Sequence, residues 1–248
     1  MTSPHADSGD ALYATSPRHL AGPGDPRLIT QPLQAADWMN HSRADTAHFI
    51  YTSPGGGLTV ALRPVPSAYT PWWHITGTHD RQPWSAEFGG NTPCEILAEF
   101  TGALLHPAPD TSADVWHLLT TAGWRYYGCE QDDETARHPS GSLALSRHTG
   151  LGASSAGSWT AEAAIHLGSY FWSAEFHGVP PHLITAFATA LARSEPVQRA
   201  KGAVPDPYVV IQTPGEPHET APLTATGRPH SVSPTRPVTR PTARRAGR

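Results

Sequence analysis

The chain has 248 residues and a formal net charge of −4, and only 15% of its residues are charged. Its 26 prolines and 22 glycines, beside 38% hydrophobic residues, predict a folded core accompanied by loop-rich or disordered stretches. The charge is uneven, because residues 214–248 hold six arginines against Glu216 and Glu219, which leaves −8 for residues 1–213. An acidic body disfavours phosphate binding, whereas a basic tail attracts polyanions.

The cysteine content and the hydropathy pattern exclude several classes of protein. Cys94 and Cys129 are the two cysteines, too few for a disulfide framework or a cysteine-rich zinc site. The first twenty residues lack an apolar run, and no stretch of the sequence is apolar for long enough to cross a bilayer. We therefore expect a cytoplasmic protein with no membrane association.

The first part of the chain is predicted to hold one folded unit. Residues 1–17 are predicted to be a disordered N-terminus, and residues 18–108 the first unit. An apolar stripe through Leu33 predicts a short opening helix, and the Pro-Gly turn after it leads into a predicted strand over residues 58–63.

A hairpin and a closing helix follow in the same unit. Residues 72–78 and 84–88 are predicted to be its strands, and alternation places Trp84 on the buried face and Glu87 on the outward face. The segment Thr92-Pro93-Cys94-Glu95 is typical of a capping box at the start of a helix.

Residues 109–200 repeat this order, which predicts a second unit. The pentapeptide Trp84-Ser-Ala-Glu-Phe88 recurs unchanged as Trp172-Ser-Ala-Glu-Phe176. The predicted fold class is therefore α+β, a tandem duplication of a unit made of a helix, a three-to-four-stranded antiparallel sheet and a helix. Residues 201–248, rich in Pro, Thr and Arg, are predicted to be a disordered tail.

Several short motifs together resemble an actinobacterial family catalogued as a domain of unknown function, number 317, also called the SPDY domain. They are the Ala-Ala-Asp-Trp38 and Ala-Gly-Trp124 helix ends, the Ser53-Pro54 turn, the two Trp-Ser-Ala-Glu-Phe strands and the Thr92-Pro93 helix start. The resemblance covers about residues 18–200 and implies two tandem copies. It implies no established activity.

Motifs for catalysis, cofactors and metals are missing from the sequence. There is no His-Glu-x-x-His pair, and the glycines at 55–57 lack the Lys-Ser/Thr of a phosphate loop. His74 and His79 fall in the predicted hairpin, and His177 and His182 flank a Pro-Pro turn, so all four are interpreted as exposed loop histidines. We predict no catalytic, cofactor or metal site.

Five residues form the candidate binding surface: Trp72, Glu87, Tyr126, Tyr127 and Glu175. Both copies keep a glutamate on the outward face of the same strand, and paired carboxylates can divide acid and base roles. The simpler alternative is a solvated strand face inherited by duplication. Trp72 and the two tyrosines are candidates for an aromatic patch, with burial between the units as the alternative.

Three functions remain open at this stage. The first is a non-catalytic module that recognises a protein partner through the sheet face or the cleft between the repeats. The second is nucleic-acid binding, assisted by the tail arginines Arg236, Arg240, Arg244, Arg245 and Arg248. The third is an enzyme that uses Glu87 and Glu175.

Overall fold

A computed structural model describes residues 12–42, 48–65, 67, 70–109, 113–128, 133–149, 157–166 and 169–214. The strands are β1 (Leu12–Ser16), β2 (Met39–Asn40), β3 (Phe49–Thr52), β4 (Leu58–Leu62), β5 (Pro71–His79), β6 (Gln82–Gly89), β7 (Arg125–Gly128), β8 (Asp133–Arg137), β9 (Leu143–His148), β10 (Ser158–His166), β11 (Ser169–His177), β12 (Val197–Ala200) and β13 (Ile211–Pro214). The helices are α1 (Arg27–Ala35), α2 (Cys94–Ala103), α3 (Val115–Thr121) and α4 (Pro181–Ala192). A 3₁₀ turn, Arg18–Leu20, follows β1. These elements lie within one compact unit, Met1–Glu216.

Ten of these strands form one antiparallel sheet in the order β2-β3-β4-β5-β6-β11-β10-β9-β8-β7. The two halves of the sheet meet where β6 pairs with β11, and there Glu87 lies opposite Glu175. The predicted fold class, with a separate three-to-four-stranded sheet in each unit, is therefore wrong. Each half contributes five strands to a shared sheet, because joining β6 to β11 pairs the backbone groups that two separate sheets would leave open at their edges.

One face of the large sheet and the helices share a single core. Val60, Ile75, Ala86 and Phe176 follow one another across neighbouring strands and are completely buried. The alternation of strand side chains accounts for this row, since every second residue of a strand points to the same face. The sequence predicts that four tryptophans point inward; Trp73, Trp84 and Trp172 are buried, and Trp159 is half-buried.

Phenylalanines from both halves join at the seam beneath β6 and β11. The rings of Phe88 and Phe176 lie 5.4 Å apart, centroid to centroid, and nearly perpendicular. Phe100 of α2 and Phe187 of α4 pack on them at centroid distances of 4.9–5.9 Å. Contacts between aromatic rings at such angles stabilise the fold beyond the effect of burying the rings. The two halves therefore have a common core and not one core each.

The three remaining strands form a second antiparallel sheet in the order β12-β1-β13. Thr15 of β1 lies opposite Val197 on one side and Gln212 on the other. The expectation that the N-terminus and the segment after residue 200 are disordered is thus wrong for β1 and β13. Neither strand shows a strong apolar pattern, and each is stabilised by pairing with distant segments.

Helix α2 begins differently from the prediction. Pro93 is its N-cap, and the buried hydroxyl of Thr92 has no hydrogen-bond partner in the described part of the chain, so the predicted capping box is wrong. Instead, the backbone N–H of Cys94 donates to the carbonyl oxygen of Pro23 at 2.7 Å. A distant backbone oxygen thus satisfies a free N–H of the first turn. None of the described helices is long and apolar enough to cross a membrane.

Candidate binding surface on the open face of the sheet

The face of the large sheet opposite the core carries polar side chains at the seam. Strand pairing places His74 opposite Glu87, and Glu87 opposite Glu175. His177 follows Glu175 by two residues in β11, so it projects from the same face. Two histidines and two glutamates from β5, β6 and β11 therefore form one cluster, which we call the seam cluster.

Each glutamate of the seam cluster has one histidine neighbour. Nδ1 of His74 lies 3.4 Å from Oε1 of Glu87, and Nε2 of His177 lies 3.7 Å from Oε2 of Glu175. The exposed fractions of the side chains are 40% for Glu87 and 57% for Glu175. Water therefore reaches both carboxylates, and these contacts contribute little to stability.

The two carboxylates also face each other across neighbouring strands. Side chains directly opposite in an antiparallel pair have Cβ atoms about 5 Å apart, and like charges there destabilise the pair. The seam therefore concentrates negative charge at the centre of an accessible surface. A ligand that brings one or two positive charges would relieve this repulsion.

A groove of about 610 Å³ borders the seam cluster. His177 belongs to both, and Thr59, Thr76 and Ser85 supply hydroxyl groups along the floor. Gly77 lets the side chains of Leu58 and Trp84 pack against β5, because a Cβ at that position would lie 2.5–2.6 Å from both. The groove thus offers hydrogen-bonding groups beside the negative charge.

The two carboxylates of the seam cluster lie in similar environments. Paired carboxylates acquire separate acid and base roles when their environments differ, for example when one is buried in an apolar pocket. Glu87 and Glu175 are instead both reached by solvent on the open face. They are suited to accept hydrogen bonds from cationic groups.

The contacts given for Trp72 are with residues outside the seam cluster. Its indole N–H donates to the carbonyl oxygen of Ser67 at 3.0 Å, and its ring covers Gly90 so closely that a Cβ there would be 2.4 Å from the indole. The side chain is partly buried against the core. These contacts give Trp72 a packing role at the start of β5.

Tyr126 and Tyr127 lie in the edge strand β7 and point to opposite faces. The ring of Tyr126 packs against Trp116 of α3 at 5.2 Å, and its hydroxyl donates to Oε1 of Glu134 at 2.6 Å, which raises the pKa of Tyr126. Tyr127 is exposed on the open face. It is four strands from β11, about 19 Å at the usual strand spacing. The structure therefore brings Glu87 and Glu175 together and leaves the aromatic candidates outside the cluster.

The proposed polyanion-binding arginines Arg236, Arg240, Arg244, Arg245 and Arg248 lie outside the described residues.

Sequence reasoning missed His74 and His177, which it interpreted as loop histidines. Both lie in strands and contact the glutamates of the seam. The sequence could have predicted the position of His177, because it follows Glu175 by two residues and so points to the same face of a strand. The pairing of His74 with Glu87 also follows from extending the predicted hairpin residue by residue.

The fold and this surface define the class of the protein. It is an α+β protein in which helices cover one face of an antiparallel sheet and the other face carries the accessible seam cluster. Residues 52–110 match the family model SPDY, a domain of unknown function (DUF317). The resemblance to this family is confirmed for that segment. No curated protein and no solved structure matches the chain.

Proposed function

We propose that this protein is a non-catalytic binding module whose open sheet face binds a cationic segment of a protein partner. The observation that carries the proposal is the position of Glu87 directly opposite Glu175, with both carboxylates exposed. Two Lys or Arg side chains on an extended segment can each meet one carboxylate, and such charge complementarity gives specificity and fast association.

The groove beside the cluster supports a peptide-like occupant. A segment that places its cations on Glu87 and Glu175 would continue over Thr76 and Ser85, whose hydroxyl groups can bond to its backbone. A nucleic acid fits this face less well, because its phosphates would approach the two carboxylates. The charge of the seam therefore favours a protein partner over a nucleic acid for this surface.

The test uses a fluorescein-labelled extended peptide with arginines at two alternate positions, and the same peptide with glutamates there. Fluorescence anisotropy with the full-length protein is expected to show binding of the arginine peptide alone. The double variant Glu87→Gln/Glu175→Gln is expected to weaken that binding about tenfold, because two half-exposed ion pairs together contribute about 1.4 kcal/mol.

A double variant with the same change in charge serves as the control. Asp80 is 89% exposed at the turn between β5 and β6, and Glu195 is exposed after α4, so Asp80→Asn/Glu195→Gln should bind like the wild type. Thermal unfolding should show that the Glu87/Glu175 variant is at least as stable as the wild type, since it loses a like-charge contact. Equal affinity of the two double variants would refute the proposal.

Nucleic-acid binding by the tail is a separate prediction from sequence. Replacing Arg236, Arg240, Arg244, Arg245 and Arg248 by glutamine in the full-length protein is expected to reduce binding of labelled single-stranded DNA. The slope of log affinity against log salt should fall by about 0.7 for each lost phosphate contact. Unchanged affinity and slope in the variant would exclude the tail as the binding element.

Residues 109–200 are proposed to contain a second, diverged SPDY segment, supported by the recurrence of Trp-Ser-Ala-Glu-Phe in β6 and β11. A family model built from relatives of residues 52–110 should then align with the second half in the same order. The protein is proposed to act in the cytoplasm of an actinobacterium, and recovery of the native protein from another compartment or source would contradict this.

A further inference from the structure

A second cavity, of about 560 Å³, lies away from the seam. Its walls come from five parts of the chain: the end of β1 with the 3₁₀ turn after it, the turn between β8 and β9, strand β10, the residues directly after α4, and the start of β13 with the residues before it. Among the described residues, two arginines, two histidines and several serines line it, and no carboxylate does. The lining is therefore cationic and rich in hydrogen-bond donors.

Arg18 and Arg193 supply the positive charge. Nη2 of Arg18 donates to the carbonyl oxygen of Glu95 at 3.3 Å, while its buried Nε has no partner in the described part of the chain. Burial lowers the pKa of Arg18, and the charge of Arg193 adds to this effect, whereas the carboxylates of Glu95, Glu195 and Glu99 oppose it. Arg193 forms an ion pair with Glu99. Both guanidinium groups line the cavity, where a ligand anion can accept hydrogen bonds from N–H groups that Glu95 and Glu99 leave available.

A chain of hydrogen bonds holds the histidines and serines. Nε2 of His19 lies 2.8 Å from Oγ of Ser142, which lies 2.6 Å from Oγ of Ser140, which lies 2.7 Å from Nδ1 of His138. The backbone N–H of Ser140 also donates to Nδ1 of His138, so that nitrogen carries no proton. Each donor in the chain therefore points toward His138, and Nε2 of His138 keeps a proton as a donor.

His19 and His138, the two histidines in this series of hydrogen bonds, are uncharged at neutral pH. Burial lowers the pKa of His19 to about 3, with a smaller effect from His138, and burial also lowers the pKa of His138. The charge that attracts an anion thus comes from the arginines, and the imidazoles contribute neutral hydrogen-bonding groups.

The other wall of the cavity is apolar. Leu20, Ile165, Val209 and Ile211 line it, and Ile211 is 68% exposed. An exposed isoleucine next to a cationic pocket suits a ligand with a polar head and an apolar body. We infer that this cavity binds a small organic anion, with a carboxylate or phosphate head on Arg18 and Arg193 and an apolar body along Ile165, Val209 and Ile211.

Calorimetric titration of the full-length protein with octanoate, octyl phosphate and octylamine tests the inference. At least one of the two anions is expected to bind, and the tighter of them identifies the head group, whereas octylamine, of similar length and opposite charge, should not bind. Arg193→Gln is expected to weaken anion binding at least about tenfold, the usual effect of losing a charged hydrogen bond.

Arg27→Gln is the matched control, because Arg27 is also exposed and ion-paired, with Asp25 at 2.6 Å, but does not line the cavity. It should bind the anion like the wild type. Imidazole ¹⁵N NMR gives a readout that needs no variant, since the bound anion should shift the His138 signals and leave those of His117 in place. Binding of octylamine as tight as that of the anions, no binding of either anion, or equal weakening by both variants would overturn the inference.

Discussion

Replacing Arg199 by methionine is expected to lower the free energy of unfolding by about 3–5 kcal/mol, the usual cost of removing one partner from a buried ion pair. The side chain of Arg199 is only 6% exposed. Its Nη1 and Nη2 donate to the two carboxylate oxygens of Glu95 at 2.6 and 2.9 Å. It also donates to the carbonyl oxygens of Ala21, Gly22 and Gln198. Methionine fills similar space but leaves Glu95 and these oxygens without their donors.

The position of this pair explains the size of the effect. Arg199 lies in β12 and Glu95 in the first turn of α2, so the ion pair connects the three-stranded sheet to the helices of the main core. Loss of the pair weakens the attachment of β1 and β12 at the same time. We expect the three-stranded sheet to lose its hydrogen-exchange protection first in the variant.

Chemical denaturation measures the change, with Arg193→Met as the control. Arg193 forms an exposed ion pair with Glu99, with 42% of its side chain accessible, so its removal should cost about 0–1 kcal/mol. Arg199→Lys keeps the charge but loses the paired hydrogen bonds, so its free energy of unfolding should lie between those of the two methionine variants. Equal stabilities of Arg199→Met and Arg193→Met would show that the buried pair does not hold the small sheet.

Acidification is expected to destabilise the protein through His19. This side chain is 5% exposed, and burial lowers its pKa to about 3. In the unfolded chain its pKa returns to about 6.5. Between these values the unfolded state binds more protons than the folded state, so the free energy of unfolding falls as the pH falls. One such proton contributes about 1.4 kcal/mol per pH unit, or about 3 kcal/mol between pH 6.5 and pH 4.

The variant His19→Gln isolates this contribution. Glutamine keeps an N–H donor that can reach Ser142 but does not titrate in this range. Urea denaturation at a series of pH values should therefore show a loss smaller by about 3 kcal/mol in His19→Gln than in the wild type between pH 6.5 and pH 4. His117→Gln is the control, because His117 is exposed and should leave the pH dependence unchanged.

Two measurements would contradict this account. One is an identical pH dependence of the wild type and His19→Gln. The other is an NMR titration of the folded protein in which the His19 imidazole gains its proton near pH 6.5, the value of an exposed histidine. Either result would mean that His19 is not held neutral by burial.

Side-chain direction within each strand followed from the sequence alone. Alternation predicts Trp73, Trp84, Trp159 and Trp172 on the inward face; three of them are buried, and Trp159 is half-buried. The repeated pentapeptide predicts Glu87 and Glu175 at equivalent outward positions. These predictions succeed because side-chain direction in a strand is a local property of the backbone.

The partner of each strand was decided by the tertiary structure. Backbone N–H and C=O groups are the same in nearly every residue, so any two strands can form similar hydrogen bonds. The side-chain pattern of each strand therefore does not predict that β6 pairs with β11. The pairing turned two predicted sheets into one and placed Glu87 against Glu175. Without it, the seam cluster would not exist.

The formation of strands β1 and β13 was likewise decided by the tertiary structure. Strands β1 and β13 have little apolar character of their own, and they are ordered because β1 pairs with segments nearly 200 residues away. The cavity lined by His19 and Arg18 depends on contacts such as that between His19 and Ser142, which are 123 residues apart in the chain. The sequence by itself therefore determined the helices and hairpin strands that have clear apolar patterns, their buried faces and the charge of the body and tail. The shared sheet, the seam cluster and the cationic cavity were decided only by long-range backbone pairing and burial, which local patterns of side chains do not encode.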